Sequence, residues 1–569
     1  MAAKKLPIGI EFFDSMIEDG YYYVDKTLFI RDIIDKGAAF TLCTRPRRFG
    51  KTLNQTMLKN FFEDTAPIGG KDTRPLFNGL KIESAGDEYM KHQGKYPVIF
   101  LSFKDAKQNT YEKSYNMLKN EIVEEFTRHA YVLNSITDIN DQEMFEKLRN
   151  RKGTEEDYAS SIKFLCRCLK KHHGKKTIIL IDEYDVPLEN AWSQKFYLDM
   201  IGFVRPLMSS ALKGNEHLQL AVMTGCLRIS KESIFTGLNN LDVISILDKY
   251  YSEYFGFTQI EIDAMLEYYD LMNKRETVRE WYNGYLFGDA EVYNPWSSIQ
   301  VISKWLADIN ELPKPHWANT SSNDIVRQLL ENSNAGARAE LETLMSGGVI
   351  SKRLHEDITY DEIYNDMDNL WNFLFFTGYL KKVGERREGL HTILELSIPN
   401  LEIQYIYETK IQNWFNEKIK ERDFSQFFES LLSGNAEAVK DELNQCLLKS
   451  ISYLDGQEDF YHGMMLGILF RLEDYIVKSN RETGYGRCDI VARHGSSRGK
   501  AILIECKWTR KKSEQAVDLQ KECDDALKQI EDNQYARELK SENYTEILKY
   551  GIAFCGKYCE VKTANIESN

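Results

Sequence analysis

The sequence predicts an α/β chain. Its N-terminal part is a parallel sheet with helices on both faces, its middle is helical, and its C-terminal part is a smaller α/β domain. Three observations predict this. From residue 38 to 248 short apolar runs (AFTLCT, YPVIFLSF, TIILID, LQLAVMTG, DVISIL) alternate with amphipathic stretches, the pattern of parallel strands joined by helical crossovers. Ile178, Ile179, Leu180 and Ile181 are apolar without a break, as in a strand covered on both faces. Beyond residue 457 two more strand-like runs, GRCDIVARHG and KAILIECKW, follow one another closely.

At 569 residues the chain is expected to hold three or four domains of about 150 residues each. Changes of pattern place them at 1–248, 249–403, 404–456 and 457–569. The 32 Tyr and 29 Phe can fill large cores, which argues against global disorder. A net charge of −14 argues against a surface coated for nonspecific DNA binding, while a local basic groove stays open. The ten Cys show no paired zinc spacing; Cys166-x-Cys168 and Cys555-x-x-x-Cys559 read as buried reduced thiols. MAAKKLPIGIEFF has no signal-like apolar core and no run approaches a membrane span, so a cytoplasmic protein without membrane contact is expected.

The first chemistry lies in AAFTLCTRPRRFGKT, Ala38 to Thr52. A short apolar run feeds an Arg-rich loop that ends in Gly50-Lys51-Thr52. The helix that follows keeps Leu53, Met57, Leu58, Phe61 and Phe62 on one face. This is the layout of a phosphate-binding P-loop. The helix N-terminus faces the phosphates of ATP, Lys51 reaches the β- and γ-phosphates, and Thr52 ligates Mg²⁺. The loop departs from the general motif, with Arg45 where a Gly is usual and Pro46 after it. Arg45, Arg47 and Arg48 are read as guanidinium forks for phosphate oxygens. The plain alternative is a basic surface turn before a core helix. The run KTIILIDEYD decides for the nucleotide reading. Asp182, at the end of an apolar strand, is placed to hold Mg²⁺ through water, and Glu183 to orient and deprotonate the attacking water.

These motifs carry a family resemblance. YYYVDKT (Tyr21 to Thr27), TRPRRFGKT, IDEYD and MTGCLRISKESIFTGLNN (Met223 to Asn240) together resemble the predicted AAA-ATPase-like proteins of bacteria. These are P-loop proteins commonly fused to a C-terminal PD-(D/E)XK nuclease-like domain, and the Arg-Pro-Arg-Arg loop is their usual form. The resemblance implies an ATPase of the additional-strand type. In that type a polar residue at the strand end Met223-Thr224-Gly225 senses the γ-phosphate, which makes Thr224 the sensor candidate. Arg228 is then either a second sensor or arginine finger, or one half of a surface salt bridge. YVDKT either approaches the base or caps a packing helix through Asp25.

Residues 249–340 read as mainly helical, with Thr258 and Glu261 spaced as a capping box. WYNGYLFGDAEVYNPWSSIQ resembles a family segment of unassigned role, and its plain reading is a packed turn between helices. IYNDMDNLWNFLFFTGYL reads as a helix stopped near Gly378. LKKVGE and HTILELSIPN read as two strands around the turn GERREG, a winged-helix-like arrangement with Arg386 and Arg387 in a solvated tip. Residues 404–455 are helical and charged.

The second chemistry begins at Gln457. QEDFYHGMMLGILFRLEDYIV reads as a helix. Asp489 lies near the start of one strand, and after fifteen intervening residues Glu505 and Lys507 share one face of the next, with Cys506 opposite. This is the core of a PD-(D/E)XK nuclease in a restriction-endonuclease-like α/β domain. Two carboxylates can hold Mg²⁺ or Mn²⁺, and the Lys can steady developing charge or activate water. Resemblance to that superfamily adds Glu458 as an extra acidic ligand on the preceding helix. His462, four residues on, is either catalytic or structural. It also adds Gln529 and Tyr535 approaching from the following helix, and Arg487, in the family's GYGRCDIV, placed for phosphate.

The combined expectation is an ATP- and Mg²⁺-using protein whose nucleotide state gates a metal-dependent nuclease acting on DNA. Two alternatives stand beside it. One is an ATPase with a catalytically silent, nucleic-acid-binding C-terminal domain. The other is a nucleotide-dependent oligomeric switch; a homo-oligomer would be needed for Arg228 or Arg205 to act in trans.

Overall fold

The structure is a computed structural model. It describes residues 3–228, 241–317, 326, 335–356, 362, 367–448, 458–483, 486–509 and 519–564. Contacts divide the chain into two units, Met1–Ile325 with Val349–Ile406, and Val326–Gly348 with Tyr407–Asn569.

The first unit is built on five strands: β1 (Phe40–Thr44), β2 (Val98–Ser102), β3 (Thr177–Asp182), β4 (Leu218–Gly225) and β5 (Leu241–Ile244). Their order is β2-β3-β4-β1-β5, and every pairing is parallel. These are the five apolar runs of the sequence. All six residues of β3 are buried, because helices cover both faces of the sheet. β4 stands between β1 and β3. The polar ends of these three strands, Thr44, Asp182 and Thr224, therefore sit side by side at one edge of the sheet, where ligands of open α/β sheets bind.

The crossover helices carry clear end signals. Glu155–His173 opens with a capping box between Thr154 and Asp157, has Glu155 and Glu156 in its first turn, and stops at Gly174 (φ +66°). The helix Tyr111–Arg128 guards the free edge of the sheet. The Phe100 N–H donates to Glu125 Oε2 (3.1 Å), and the Val98 carbonyl accepts from Arg128 Nη2 (2.6 Å) and His129 Nε2 (3.0 Å). Side chains thus use the backbone groups of β2 that another strand would otherwise pair with.

Next come three short strands, β6 (Phe257–Thr258), β7 (Tyr285–Phe287) and β8 (Ala290–Tyr293), paired antiparallel in the order β6-β8-β7. The stretch read as a packed turn between helices is therefore a hairpin, closed at Gly288 (φ +55°). A Cβ at Gly288 would meet the Asp248 carbonyl at 2.7 Å. Thr258 and Glu261 form the expected capping box of the helix Gln259–Tyr268. The helix Met367–Phe376 ends before Gly378 (φ +90°). β9 (Ile350–Arg353), β10 (Lys381–Glu388) and β11 (His391–Ser397) then form an antiparallel sheet with β11 in the centre. The hairpin tip is only Gly389-Leu390. Arg386 and Arg387 lie within β10, and Arg386 pairs across the strands with Glu395 (3.2 Å).

In the second unit β12 (Tyr475–Thr483), β13 (Gly486–His494), β14 (Ala501–Trp508), β15 (Ile547–Cys555) and β16 (Tyr558–Ala564) form one mixed sheet in sequence order. Only β14 and β15 are parallel. The helix expected to run through Tyr475-Ile476-Val477 ends at Leu469, and those three residues open β12. Asp474, with φ +64°, breaks the helical path between them. The helix Leu519–Asp532 lies close on β15: a Cβ at Gly551 would come 2.3 Å from the Cys523 carbonyl. Among the described residues no helix is long and apolar enough to cross a membrane.

The edge-guarding carboxylate makes a testable claim. Burial alone would raise the Glu125 pKa, but Arg128 and His129 outweigh it and bring it down to about 2. Its stabilising contribution is therefore complete above the unfolded value of 4.5 and is lost as pH falls toward about 2. Glu125→Ala is expected to destabilise the first unit by about 3 kcal/mol at pH 7, measured by urea unfolding. The gap to the wild type should close in acid.

Candidate functional site

After β1 the chain runs through Arg45–Gly50 into the helix Lys51–Phe62. Arg48 (φ +70°) and Gly50 (φ +80°) both take the left-handed region. For Gly50 this carries no side-chain strain, whereas for Arg48 it costs on the order of 1 kcal/mol. The two bends carry the loop round to the start of the helix. Lys51 is buried, and its Nζ donates to the carbonyls of Arg45 (3.1 Å) and Pro46 (3.0 Å) and lies 3.5 Å from Cys226 Sγ. Burial opposes its charge; Cys226, Glu183, Asp185 and Asp182 outweigh that and hold its pKa up.

Arg45 does not face a ligand. It is fully buried beneath the loop. Its guanidinium donates to the carbonyls of Thr44 (2.8 Å), Ile244 (3.0 Å) and Tyr250 (3.4 Å), and lies 5.2 Å from the rings of both Phe255 and Phe287. Carbonyls at the ends of β1 and β5 need donors, and a fork with five N–H groups supplies them. Arg45 therefore braces the loop from below, and burial brings its pKa down to about 10. Arg47 and Arg48 stay on the open side. Arg47 donates to Glu189 (2.5 Å), and exposed Arg48 stacks 4.4 Å from the ring of Trp296.

Above the loop lies a cavity of about 480 Å³. Gly50, Lys51, Thr52 and Glu183 line it on one side, and Tyr22, Tyr23, Val24 and Trp296 on others. The YYYVDKT segment thus forms part of its wall. Lys26, also in the wall, is committed to Glu261 at 2.6 Å. Asp25 does not cap the helix Leu28–Lys36, which has no side-chain cap; it accepts from the Thr27 N–H (2.9 Å) and hydroxyl (2.6 Å) just before it.

Asp182, Thr52 and Thr224 meet behind the loop. The buried Asp182 carboxylate accepts from the Thr52 hydroxyl (2.6 Å) and the Thr224 hydroxyl (2.5 Å). A hydroxyl and a carboxylate at this distance are the hard oxygen donors that Mg²⁺ takes. Glu183 is held in the left-handed region (φ +53°). Burial and the Asp182 charge raise its pKa, partly offset by Lys51. Arg228 lies 3.8 Å from Glu356 in an ion pair.

Asp185 was not singled out from the sequence, although it is the second Asp of IDEYD. It ties the end of β4 to the site: Oδ2 accepts from the N–H groups of Cys226 (2.7 Å) and Leu227 (3.0 Å), while buried Oδ1 has no hydrogen-bond partner. Burial, with Glu189 nearby, pushes its pKa up to about 6. Gly225 makes room for this approach. A Cβ there would come 2.5 Å from the Tyr184 ring and 2.8 Å from Asp185 Oδ1.

The second constellation forms on the sheet of the second unit. β13 and β14 pair with Ile490 opposite Ile504, so the next position sets Asp489 opposite Glu505. The Cys506 N–H donates to Asp489 Oδ2 (2.9 Å), and the Asp489 N–H to Glu505 Oε2 (3.4 Å). Lys507 Nζ lies 3.7 Å from Glu505. Gln529, from the helix Leu519–Asp532, joins them: its amide N–H donates to Glu505 Oε1 and its Oε1 accepts from Lys507 Nζ (2.5 Å). His462 Nε2 lies 3.2 Å from the Asp489 carbonyl and 3.3 Å from Ser479 Oγ, so its position is fixed by hydrogen bonds. Tyr535, expected beside these groups, is instead a core residue packed with Val491, Leu503 and Leu539. Its ring fills the space under the sheet, and its hydroxyl accepts from Asn533 (3.0 Å). The side chains of Glu458 and Arg487 lie outside the described residues.

Glu505 is almost fully buried, and burial, then the Asp489 charge, push its pKa up to about 7. The Asp489 charge beside Glu505 raises the proton affinity of Glu505, a repulsion that a divalent cation would relieve. Among the described residues no third His, Cys, Asp or Glu completes a metal cluster.

The sequence comparisons fall on these two sites. Residues 7–235 match the family model described as "Predicted AAA-ATPase", and residues 456–564 match that of the PD-(D/E)XK nuclease superfamily. The chain is also 28% identical, over 558 residues and 94% of each protein, to an "Uncharacterized protein in vnfD 5'region" of Azotobacter chroococcum mcd 1.

Two substitutions test the geometry. Gly225→Ala should destabilise the first unit by roughly 1–3 kcal/mol through overpacking, read as a lowered Tm. Glu505→Gln should be close to neutral below pH 4.5 and stabilising above about pH 7. The reason is that a group with a raised native pKa loses stability as pH rises from the unfolded value to the folded one. A gap in Tm that does not vary with pH would show that Glu505 ionises normally.

Proposed function

We propose that, in this chain joining an AAA-ATPase-like domain to a C-terminal PD-(D/E)XK nuclease superfamily domain, the nucleotide state of the first controls cleavage of DNA phosphodiester bonds by the second. The observation that carries the reading is the convergence of Asp489, Glu505 and Lys507 on one strand pair, with Gln529 bridging Glu505 and Lys507. A salt bridge alone would not require a buried carboxylate beside a second one, at a cost in stability.

In the first unit Lys51 rests on loop carbonyls. ATP would draw its ammonium onto the β- and γ-phosphates, with Arg48 on the open side of the loop and Arg47 reaching them by exchanging its pairing with Glu189. Thr52 and Asp182 would hold the accompanying Mg²⁺. Glu183, its pKa raised by burial, is suited to take a proton from water. Thr224 shares the Asp182 carboxylate with Thr52, so rearrangement around Thr52 would reach the end of β4.

In the second unit Asp489 and Glu505 would hold Mg²⁺ or Mn²⁺. The bound ion supplies Lewis-acid polarisation of the phosphodiester and lowers the pKa of a bound water. Lys507, oriented by Gln529, would neutralise charge developing on the phosphate oxygens. Glu505 must be ionised to act, so cleavage should rise with pH below neutrality.

The test is cleavage of labelled single- and double-stranded DNA by the full chain with Mg²⁺ or Mn²⁺, with and without ATP. Glu505→Ala is expected to reduce cleavage by at least about 100-fold. Lys51→Ala should abolish ATP binding and change the cleavage rate. Cleavage that ignores ATP and Lys51→Ala would overturn the control. No cleavage with any ion, alongside ATP hydrolysis, would favour a nucleic-acid-binding or switching role.

A further inference from the structure

The phosphate loop has one side that faces no ligand. Phe49, between Arg48 and Gly50, is 1% exposed, and its ring packs edge-on against Tyr285 (4.9 Å between centroids) and beside Phe287 (5.1 Å). Pro46 lies against Gly378, where a Cβ would come 3.0 Å from the Pro46 Cβ and 3.5 Å from the Tyr285 ring. Tyr285 thus touches the seat of the loop through Phe49 and through the Gly378 contact. It belongs to the aromatic hairpin stretch to which the phosphate chemistry assigns no role.

The other end of Tyr285 reaches a different place. Its hydroxyl is buried beside Asn400 and Asn294, with which it makes only loose hydrogen bonds, and within the field of the Glu402 carboxylate. Glu402 is fully buried. Its Oε1 accepts from Ser297 Oγ (2.8 Å) and the Trp317 N–H (2.8 Å), the His316 N–H also approaches the carboxylate, and Oε2 makes no well-formed hydrogen bond. Asn294 Nδ2 and Asn283 Oδ1 are in the same state. Buried polar atoms left without well-formed hydrogen bonds are unusual in a folded protein. Groups left in this state have hydrogen bonds still to gain when a neighbour moves.

This cluster surrounds the root of the helix Leu401–Glu421. Asn400 caps that helix, accepting from the Ile403 N–H (3.0 Å), and donates to the Asn283 carbonyl (2.7 Å). The Pro399 carbonyl would lie 2.3 Å from a Cβ on Gly284, the residue before Tyr285. The segment that carries Tyr285 is therefore latched to the helix root at two points. The helix itself passes from one unit to the other, its residues to Ile406 counting with the first and those from Tyr407 with the second.

We propose that Tyr285 and Glu402 are positioning residues that relay the state of the phosphate loop to the root of the helix Leu401–Glu421. Movement of Phe49 and Pro46, as the loop closes on phosphates, shifts the Tyr285 ring. The Tyr285 hydroxyl then donates to the open Glu402 Oε2 or to Asn400, and the first turn of the helix is re-seated. The relay is an element with two arrangements, which coupling between distant sites requires. It rests on the reading that the loop binds nucleotide, and it names how that site would be coupled to the rest of the chain.

The experiment is hydrogen–deuterium exchange of the full chain, followed in peptides covering residues 398–421, with and without a non-hydrolysable ATP analogue and Mg²⁺. Binding of a fluorescent ATP analogue is measured on the same samples. Wild type should show nucleotide-dependent exchange in 398–421, and Lys51→Ala should not. Tyr285→Phe and Glu402→Gln should bind nucleotide within about threefold of wild type yet lose that response; either variant suffices if the other fails to fold. Nucleotide binding by wild type with unchanged exchange, or a response undiminished in both variants, would overturn the relay alone. Absence of nucleotide binding by wild type would overturn the nucleotide reading and the relay with it.

Discussion

The first unit turns on one buried carboxylate. Asp182 ends the most deeply covered strand of the sheet and accepts hydroxyls from both Thr52 and Thr224. A charge in that position is tolerated only where hydrogen bonds surround it. Those bonds tie the helix Lys51–Phe62, β3 and β4 to a common point. The strand order that sets β4 between β1 and β3 makes the arrangement possible, and the packing of Gly225 against Tyr184 and Asp185 holds it close. Lys51, Glu183 and the cavity above the loop take their places from this junction.

The second unit solves a similar problem by another route. A parallel sheet collects strand ends at one edge, whereas here an antiparallel pair sets Asp489 opposite Glu505. Period-two alternation then turns Lys507 to the same face as Glu505. In both places a carboxylate is kept in a dry setting beside a lysine or a hydroxyl. Burial raises the proton affinity of Glu183 and Glu505 alike. Groups so perturbed mark candidate functional sites.

Arg45 shows how the same chemistry can be used for two ends. Its letters suggest a phosphate ligand, because guanidinium groups bind phosphate oxygens. Backbone carbonyls are also acceptors, and those of Thr44, Ile244 and Tyr250 are nearer. Phe255 and Phe287 enclose its planar head. Pro46, which lacks an N–H, falls where the loop packs on Gly378 rather than where a donor would be useful. The departures of this loop from the general motif are thus suited to bracing it against the rest of the unit.

Much was legible in the chain itself. Apolar runs and capping pairs announce the five parallel strands, the helix after Gly50 and the capped helix after Thr258, because strand burial, helix periodicity and capping are local. The spacing of Asp489, Glu505 and Lys507 likewise follows from the two-residue period of a hairpin. Contacts between distant segments were decided by tertiary structure alone. Arg45 went to carbonyls brought from residues 244 and 250, Tyr535 went into the core, and the aromatic stretch near residue 285 became a hairpin packed against Phe49 of the loop after β1. Sequence states which groups can donate, accept or stack. Which partners stand within reach depends on how strands and helices far apart in the chain are packed.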